Sequence, residues 1–69
     1  MKISARNVLK GTIKAIEIGV VNAEVTIEVA PSLVMTSIIT KNSCENLGLE
    51  KGKEVYAVVK ASNVMIGTD

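Results

Sequence analysis

The sequence predicts an all-β domain in which five strands close into a small barrel, with one short helix between strands 3 and 4. Three observations carry this expectation. Apolar and polar residues alternate with period two in separate segments. Glycine or proline punctuates the intervals between those segments. One helix start signal, Thr40, and one stop signal, Gly48, enclose only Lys41–Leu47.

Along residues 8–16, Leu9, Gly11, Ile13 and Ala15 fall on one side and Lys10, Thr12 and Lys14 on the other, which is the first strand. Gly19 marks the turn that follows. From Val21 the alternation resumes, with Ala23, Val25, Ile27 and Val29 facing one way and Asn22, Glu24, Thr26 and Glu28 the other: a half-exposed second strand. Ala30-Pro31-Ser32 ends it, because proline cannot donate to a central ladder. The third strand, Leu33–Ile39, is apolar on both faces in places, so its second side needs a cover, which is assigned to another subunit. Thr40 caps the helix and Gly48 closes it as a left-handed residue, with Leu47 and Leu49 set to plug the sheet. Glu50-Lys51-Gly52-Lys53 reads as a tight turn into strand 4, Glu54–Lys60, and Val64-Met65-Ile66 as a brief fifth strand before Gly67. This element order matches a five-stranded OB-type barrel, whose closure removes exposed edges.

The 69 residues make a single domain, 1–69, whose size limits how much surface it can bury. With no Phe, no Trp and only Tyr56, its core is aliphatic, yet 48% of the residues are hydrophobic. That is more than one small core can hide, and the expectation is a homo-oligomer whose subunits complete each other's cores. The single Cys44 cannot form an intrachain disulfide and reads as a small buried residue of the helix. No stretch approaches the roughly 18 apolar residues of a membrane span, and the opening residues contain no apolar leader segment. A cytoplasmic protein is expected. Eight Lys/Arg against seven Asp/Glu give a net charge of +1, which argues against general affinity for nucleic acid or for anionic membrane.

Two polar clusters stand at opposite ends of the chain, Ser4-Ala5-Arg6-Asn7 and Lys60-Ala61-Ser62-Asn63. Each offers one long cation and small hydrogen-bond donors with no carboxylate. Such a set suits a dianionic oxyanion and is of no use to a metal ion.

The string Ser4-Ala5-Arg6-Asn7, followed after two residues by Lys10-Gly11-Thr12-Ile13, resembles the opening of the molbindin (Mop) family. The resemblance continues through Val21-Asn22-Ala23-Glu24-Val25, Ile39-Thr40 with Ser43, Leu47-Gly48-Leu49, Gly52-Lys53-Glu54-Val55, Lys60-Ala61-Ser62 and Val64-Met65-Ile66-Gly67, and so covers the whole chain. It departs at Ala30-Pro31-Ser32, where relatives often carry a glycine-rich hairpin. The resemblance implies a small cytoplasmic protein that binds molybdate or tungstate for molybdenum storage and homeostasis, without a cofactor, as a homo-oligomer and by family habit a hexamer. It implies an oxyanion site made of Ser4, Arg6, Thr40, Ser43, Lys60, Ala61 and Ser62, with the Ser4/Arg6 cluster meeting the Lys60/Ser62 cluster across a subunit boundary. A second oxyanion site between subunits is implied at the Gly19-Val20-Val21-Asn22 turn. The physics is compatible: Arg6 and Lys60 match a charge of minus two, hydroxyls rotate toward tetrahedral oxygens, and a helix start near Thr40 presents free N–H groups.

The competing readings are a structural oligomer without specific anion chemistry and an OB-type nucleic-acid binder. Base stacking needs exposed aromatics, and Tyr56 stands alone. An enzyme is not expected, since the chain has no His and its one Cys has no base partner.

Overall fold

The computed structural model describes residues 1–69. Its elements are β1 (Asn7–Ile18), β2 (Asn22–Ala30), β3 (Leu33–Thr40), α1 (Lys41–Asn46) and β4 (Glu54–Val59), followed by a 3-10 turn at Ala61–Asn63. The strands form one antiparallel sheet in the order β3-β2-β1-β4. No helix is long and apolar enough to cross a membrane.

β1 organises the sheet by changing partners along its length. Its first half pairs with β4, from Asn7 opposite Val59 to Thr12 opposite Glu54, and its second half pairs with β2, from Thr12 opposite Glu28 to Ile18 opposite Ala23. Around this switch the Glu50–Lys53 turn docks on β1, with the Gly52 N–H donating to Ile13 O at 2.8 Å and the Ile13 N–H to Lys53 O at 3.0 Å. Gly11 lies where β2 crosses closely: a Cβ there would stand 2.6 Å from Glu28 O and 2.7 Å from Ile27 Cγ2. Only a residue without a side chain fits.

A bulge between Ile13 and Ala15 shifts the strand's phase. Ala15, expected on the buried side, is exposed, and Ile16 takes the inward position opposite Val25. The buried core is Ile13, Val25, Ile27 and Ala57, flanked by half-buried Ile16, Val29, Met35, Ile39, Leu49 and Val55. Cys44 is buried, as expected. Leu49 packs on the core, whereas Leu47 is largely exposed and does not plug the sheet.

The caps form as the sequence predicts. Thr40 Oγ1 accepts from the Ser43 N–H at 3.0 Å, and Gly48 adopts φ 62°. The helix closes with Leu49 N–H on Cys44 O and Gly48 N–H on Glu45 O, the pair of bonds of a Schellman ending. Lys53 Nζ adds bonds to Leu47 O at 2.9 Å and Gly48 O at 3.1 Å, a cation placed on the carbonyl end of the helix.

The fifth strand and the barrel closure do not form within the chain. Lys60 leaves β4 and the 3-10 turn carries the backbone away, so Val64–Ile66 pair with nothing and remain exposed. The edge strands β3 and β4 face each other across an open groove of about 340 Å³, lined in part by Met35–Ile38 and Tyr56–Val59. Physically, a three-residue segment at the end of a short turn has too few ladder bonds to hold itself in that gap.

The β2–β3 hairpin turns through Pro31-Ser32, with Ala30 opposite Leu33. Ser32 is the one non-glycine residue with positive φ, at 62°. Left-handed backbone disfavours any side chain, so Ser32→Gly is expected to stabilise the fold by about 0.5–1 kcal/mol after the added chain entropy of glycine is counted. A higher denaturant midpoint with an unchanged slope, at fixed protein concentration, checks it.

Candidate anion-binding site

The antiparallel pairing of β1 with β4 brings the two ends of the chain together. Because Asn7 lies opposite Val59, the residues just before β1 and just after β4 share one end of the sheet. There Ser4, Ala5 and Arg6 face Lys60, Ala61, Ser62 and Asn63 across an open groove of about 550 Å³, with Ile3 and Val58 as apolar walls. The two clusters therefore meet inside a single chain. This corrects the expectation that a subunit boundary separates them: strand pairing alone does what was assigned to assembly.

The groove has an unbalanced charge. The two ion pairs of the chain, Lys10–Glu54 at 3.7 Å and Lys14–Glu28 at 3.5 Å, involve neither Arg6 nor Lys60. No Asp or Glu lines the groove. The side-chain hydrogen bonds of the chain are confined to Thr40, Ser43 and Lys53, so the donors of Ser4, Arg6, Lys60 and Ser62 are all uncommitted. Arg6 and Lys60 carry +2 in a chain of net +1, leaving −1 on the rest. Both cations are exposed to solvent at one groove without a competing carboxylate, an arrangement whose charge a bound dianion would match.

Thr40 and Ser43 sit elsewhere. Thr40 ends β3 opposite Asn22, and the Lys41 N–H donates to Val21 O at 2.8 Å, which ties the helix start to the Gly19–Asn22 turn. The turn is itself closed by the Gly19 N–H on Asn22 O at 2.8 Å. These residues belong to the Ile18 end of β1, opposite the Asn7 end that carries the groove. The Thr40 hydroxyl is already spent, donating to Ser43 Oγ at 2.8 Å. A separate cavity of about 470 Å³ beside the turn is lined by Gly19, Asn22 and two carboxylates, Glu17 and Glu24, which face each other across β1 and β2. In one chain that cavity repels an anion.

Within one chain, the seven residues of the expected inter-subunit site divide into five at the groove and two at the turn. Asn63, which the expectation passed over, joins the groove; its signal was its place inside the Lys60–Asn63 cluster. Thr40→Ala should lower stability by about 1 kcal/mol through the lost N-cap. Thermal unfolding of the variant checks it.

Residues 3–66 match the TOBE domain. The chain belongs to the TOBE domain family. This TOBE domain is 48% identical over 69 residues to a probable molybdenum-pterin-binding protein of Haemophilus influenzae, covering all of both chains. Its fold is similar to that of MopII from Clostridium pasteurianum, with a TM-score of 0.92 and 49% identity over 97% of this chain and 100% of that one. It is also similar to the cytoplasmic molybdate-binding protein ModG in a molybdate-bound form, with a TM-score of 0.94 and 48% identity. That match covers 100% of this TOBE domain and 49% of the ModG chain.

Proposed function

We propose that this TOBE domain binds molybdate, and tungstate with it, in the groove between Arg6 and Lys60, and that it stores the oxyanion as a homo-oligomer. The observation that carries the reading is the pair of cations sharing one groove with no carboxylate and no hydrogen-bonded partner. Arg6 presents a planar fork of donors and Lys60 a compact ammonium, while the Ser4 and Ser62 hydroxyls and the Ala61 backbone amide complete a donor shell. Relatives named for molybdenum and molybdate support the identity of the anion. Titration calorimetry is expected to give a micromolar or tighter Kd, about 8 kcal/mol or more. No heat with molybdate, together with no displacement of tungstate, would sink the assignment.

The oligomer reading rests on exposed surface. The chain exposes 5550 Å², against about 4,200 Å² for a monomeric protein of 7.3 kDa. The excess includes Val64, Met65 and Ile66, exposed 54%, 92% and 91%. It also includes Leu33, Val34 and Ile38 on β3 and Tyr56 and Val58 on β4. In this reading Val64–Ile66 of one copy lies between the β3 and β4 edges of another, supplies the fifth strand and closes the barrel. For a second anion at the Gly19–Asn22 turn, assembly to a hexamer, as the Mop resemblance implies, would have to supply cations that outweigh Glu17 and Glu24. Sedimentation should show an oligomer at micromolar concentration. Met65→Asp, which places a charge in the bridging segment, should shift it toward monomer; an unchanged mass would remove the segment from the interface.

A further inference from the structure

We propose that the free edge of β3 is a self-association surface whose partner is the same edge of another copy, and that the Val64–Ile66 segment of a neighbouring subunit is what keeps it covered; the inference rests on the assembly reading given above. β3 lies at the edge of the sheet, so one side of its backbone has no strand beside it within the chain. Edge strands of stable folds carry a device that stops another strand from adding, such as a charge, a proline, a bulge or extreme shortness. β3 has none of these. Between Glu28 and Lys41 the chain carries no charged residue, and Pro31 lies in the hairpin rather than in the strand. The one irregularity in its pairing with β2 falls at the hairpin end, between Glu28 and Ala30, so Val34–Thr40 presents an unbroken edge.

The composition of the strand favours a copy of itself as partner. Five of its eight residues are Val, Ile or Thr, and Leu33, Val34 and Ile38 are each more than half exposed. The stretch Leu33–Ile39 has no charge, no proline and no glycine, which is the signature of segments that stack on identical segments. Two copies of an uncharged strand meet without repulsion. The other free edge differs, because β4 begins at Glu54 and is bounded by Lys53 and Lys60, and copies stacked in register would set like charges side by side. Self-association therefore belongs to β3 and not to β4.

Val64, Met65 and Ile66 are apolar and unpaired in the chain. Seated between the β3 and β4 edges of a neighbour, they occupy the backbone groups that a second β3 would otherwise use. Assembly then protects the protein besides closing the barrel, and a protomer released from it presents a template edge.

The test uses the full chain and Met65→Asp, a change at a residue so exposed that the packing of its own chain is untouched. Parent and variant are weighed by sedimentation, then agitated at micromolar concentration and followed by thioflavin T fluorescence and the infrared amide band. The parent should stay soluble, and Met65→Asp should dissociate and convert to dye-binding, β-rich assemblies. Adding Thr36→Lys, an exposed position in the middle of β3, should lengthen the lag at least about tenfold, as a gatekeeper charge does. Adding Ala15→Lys, which places the same charge at an exposed position on the central strand β1, should leave the lag within about twofold. A Met65→Asp variant that keeps the parental mass defeats the assembly reading and the cover with it. One that dissociates yet stays soluble and dye-negative defeats the β3 proposal alone. Equal protection by Thr36→Lys and Ala15→Lys also overturns it, because net charge rather than the edge would then govern association.

Discussion

Lys60→Ala and Arg6→Ala are each expected to weaken molybdate binding by on the order of 100-fold, about 2.7 kcal/mol, while leaving the fold intact. Each removes one of the two charges facing the dianion, and charge-assisted hydrogen bonds of roughly 1.5–3 kcal/mol are the strongest polar contacts the groove can make. The stability of the free protein should stay level or rise slightly. Neither side chain has an ion pair or hydrogen bond to lose, and both are exposed to solvent. Ser62→Ala should cost less, since a neutral hydroxyl contributes a weaker bond. Calorimetry for binding and thermal unfolding without ligand separate the two effects. Cation variants that bind like the parent would move the site away from the groove and make the Gly19–Asn22 turn its leading candidate.

Gly11→Ala should be the most damaging substitution of a single small group in the chain. A methyl carbon at 2.6 Å from the Glu28 carbonyl oxygen and 2.7 Å from Ile27 Cγ2 cannot be accepted without moving backbone. The displaced strand carries Ile27, one of the four residues of the core cluster. Overpacking of this kind costs about 1–3 kcal/mol, and a domain of this length has only roughly 3–10 kcal/mol of total stability at typical per-residue values. Loss of a large part of the unfolding free energy is therefore expected, with Gly11→Val failing to fold. Gly67→Ala serves as the control, since a Cβ at Gly67 would meet no atom within 4 Å. A Gly11→Ala variant as stable as the parent would show that β2 can withdraw from β1 at little cost.

These two expectations draw on different levels of information. The chemistry of the groove was legible in the chain: a cation with small donors on either side and no acid, twice over. Its assembly was not, because Arg6 and Lys60 are distant in sequence and their approach depends on β1 pairing antiparallel with β4 in the register that sets Asn7 against Val59. The same limit explains Thr40 and Ser43. Their residue types suit an oxyanion, and only the fold shows that within one chain their hydroxyls bond to each other and their strand end lies with Asn22 rather than with Arg6. Lys53 shows the limit at short range, since a turn lysine gives no sign that its ammonium will cap helix carbonyls.

The sequence by itself determined the segments and their ends. Period-two alternation marked β1 and β2, an apolar run marked β3, Pro31 marked the hairpin, Thr40 and Gly48 marked the helix limits, and Gly52 marked the turn into β4. Those signals are local, because the face a side chain takes and the φ a residue tolerates are set within a few residues. Tertiary structure alone decided that β1 changes partner at Thr12, that a bulge exchanges Ala15 for Ile16 on the inner face, and that Gly11 must admit the Glu28 carbonyl. It also decided that the last apolar segment leaves the gap between β3 and β4 unfilled. Each of these depends on which distant strand arrives and in what register, and strand pairing is selected by the burial of whole faces rather than by any residue's own preference.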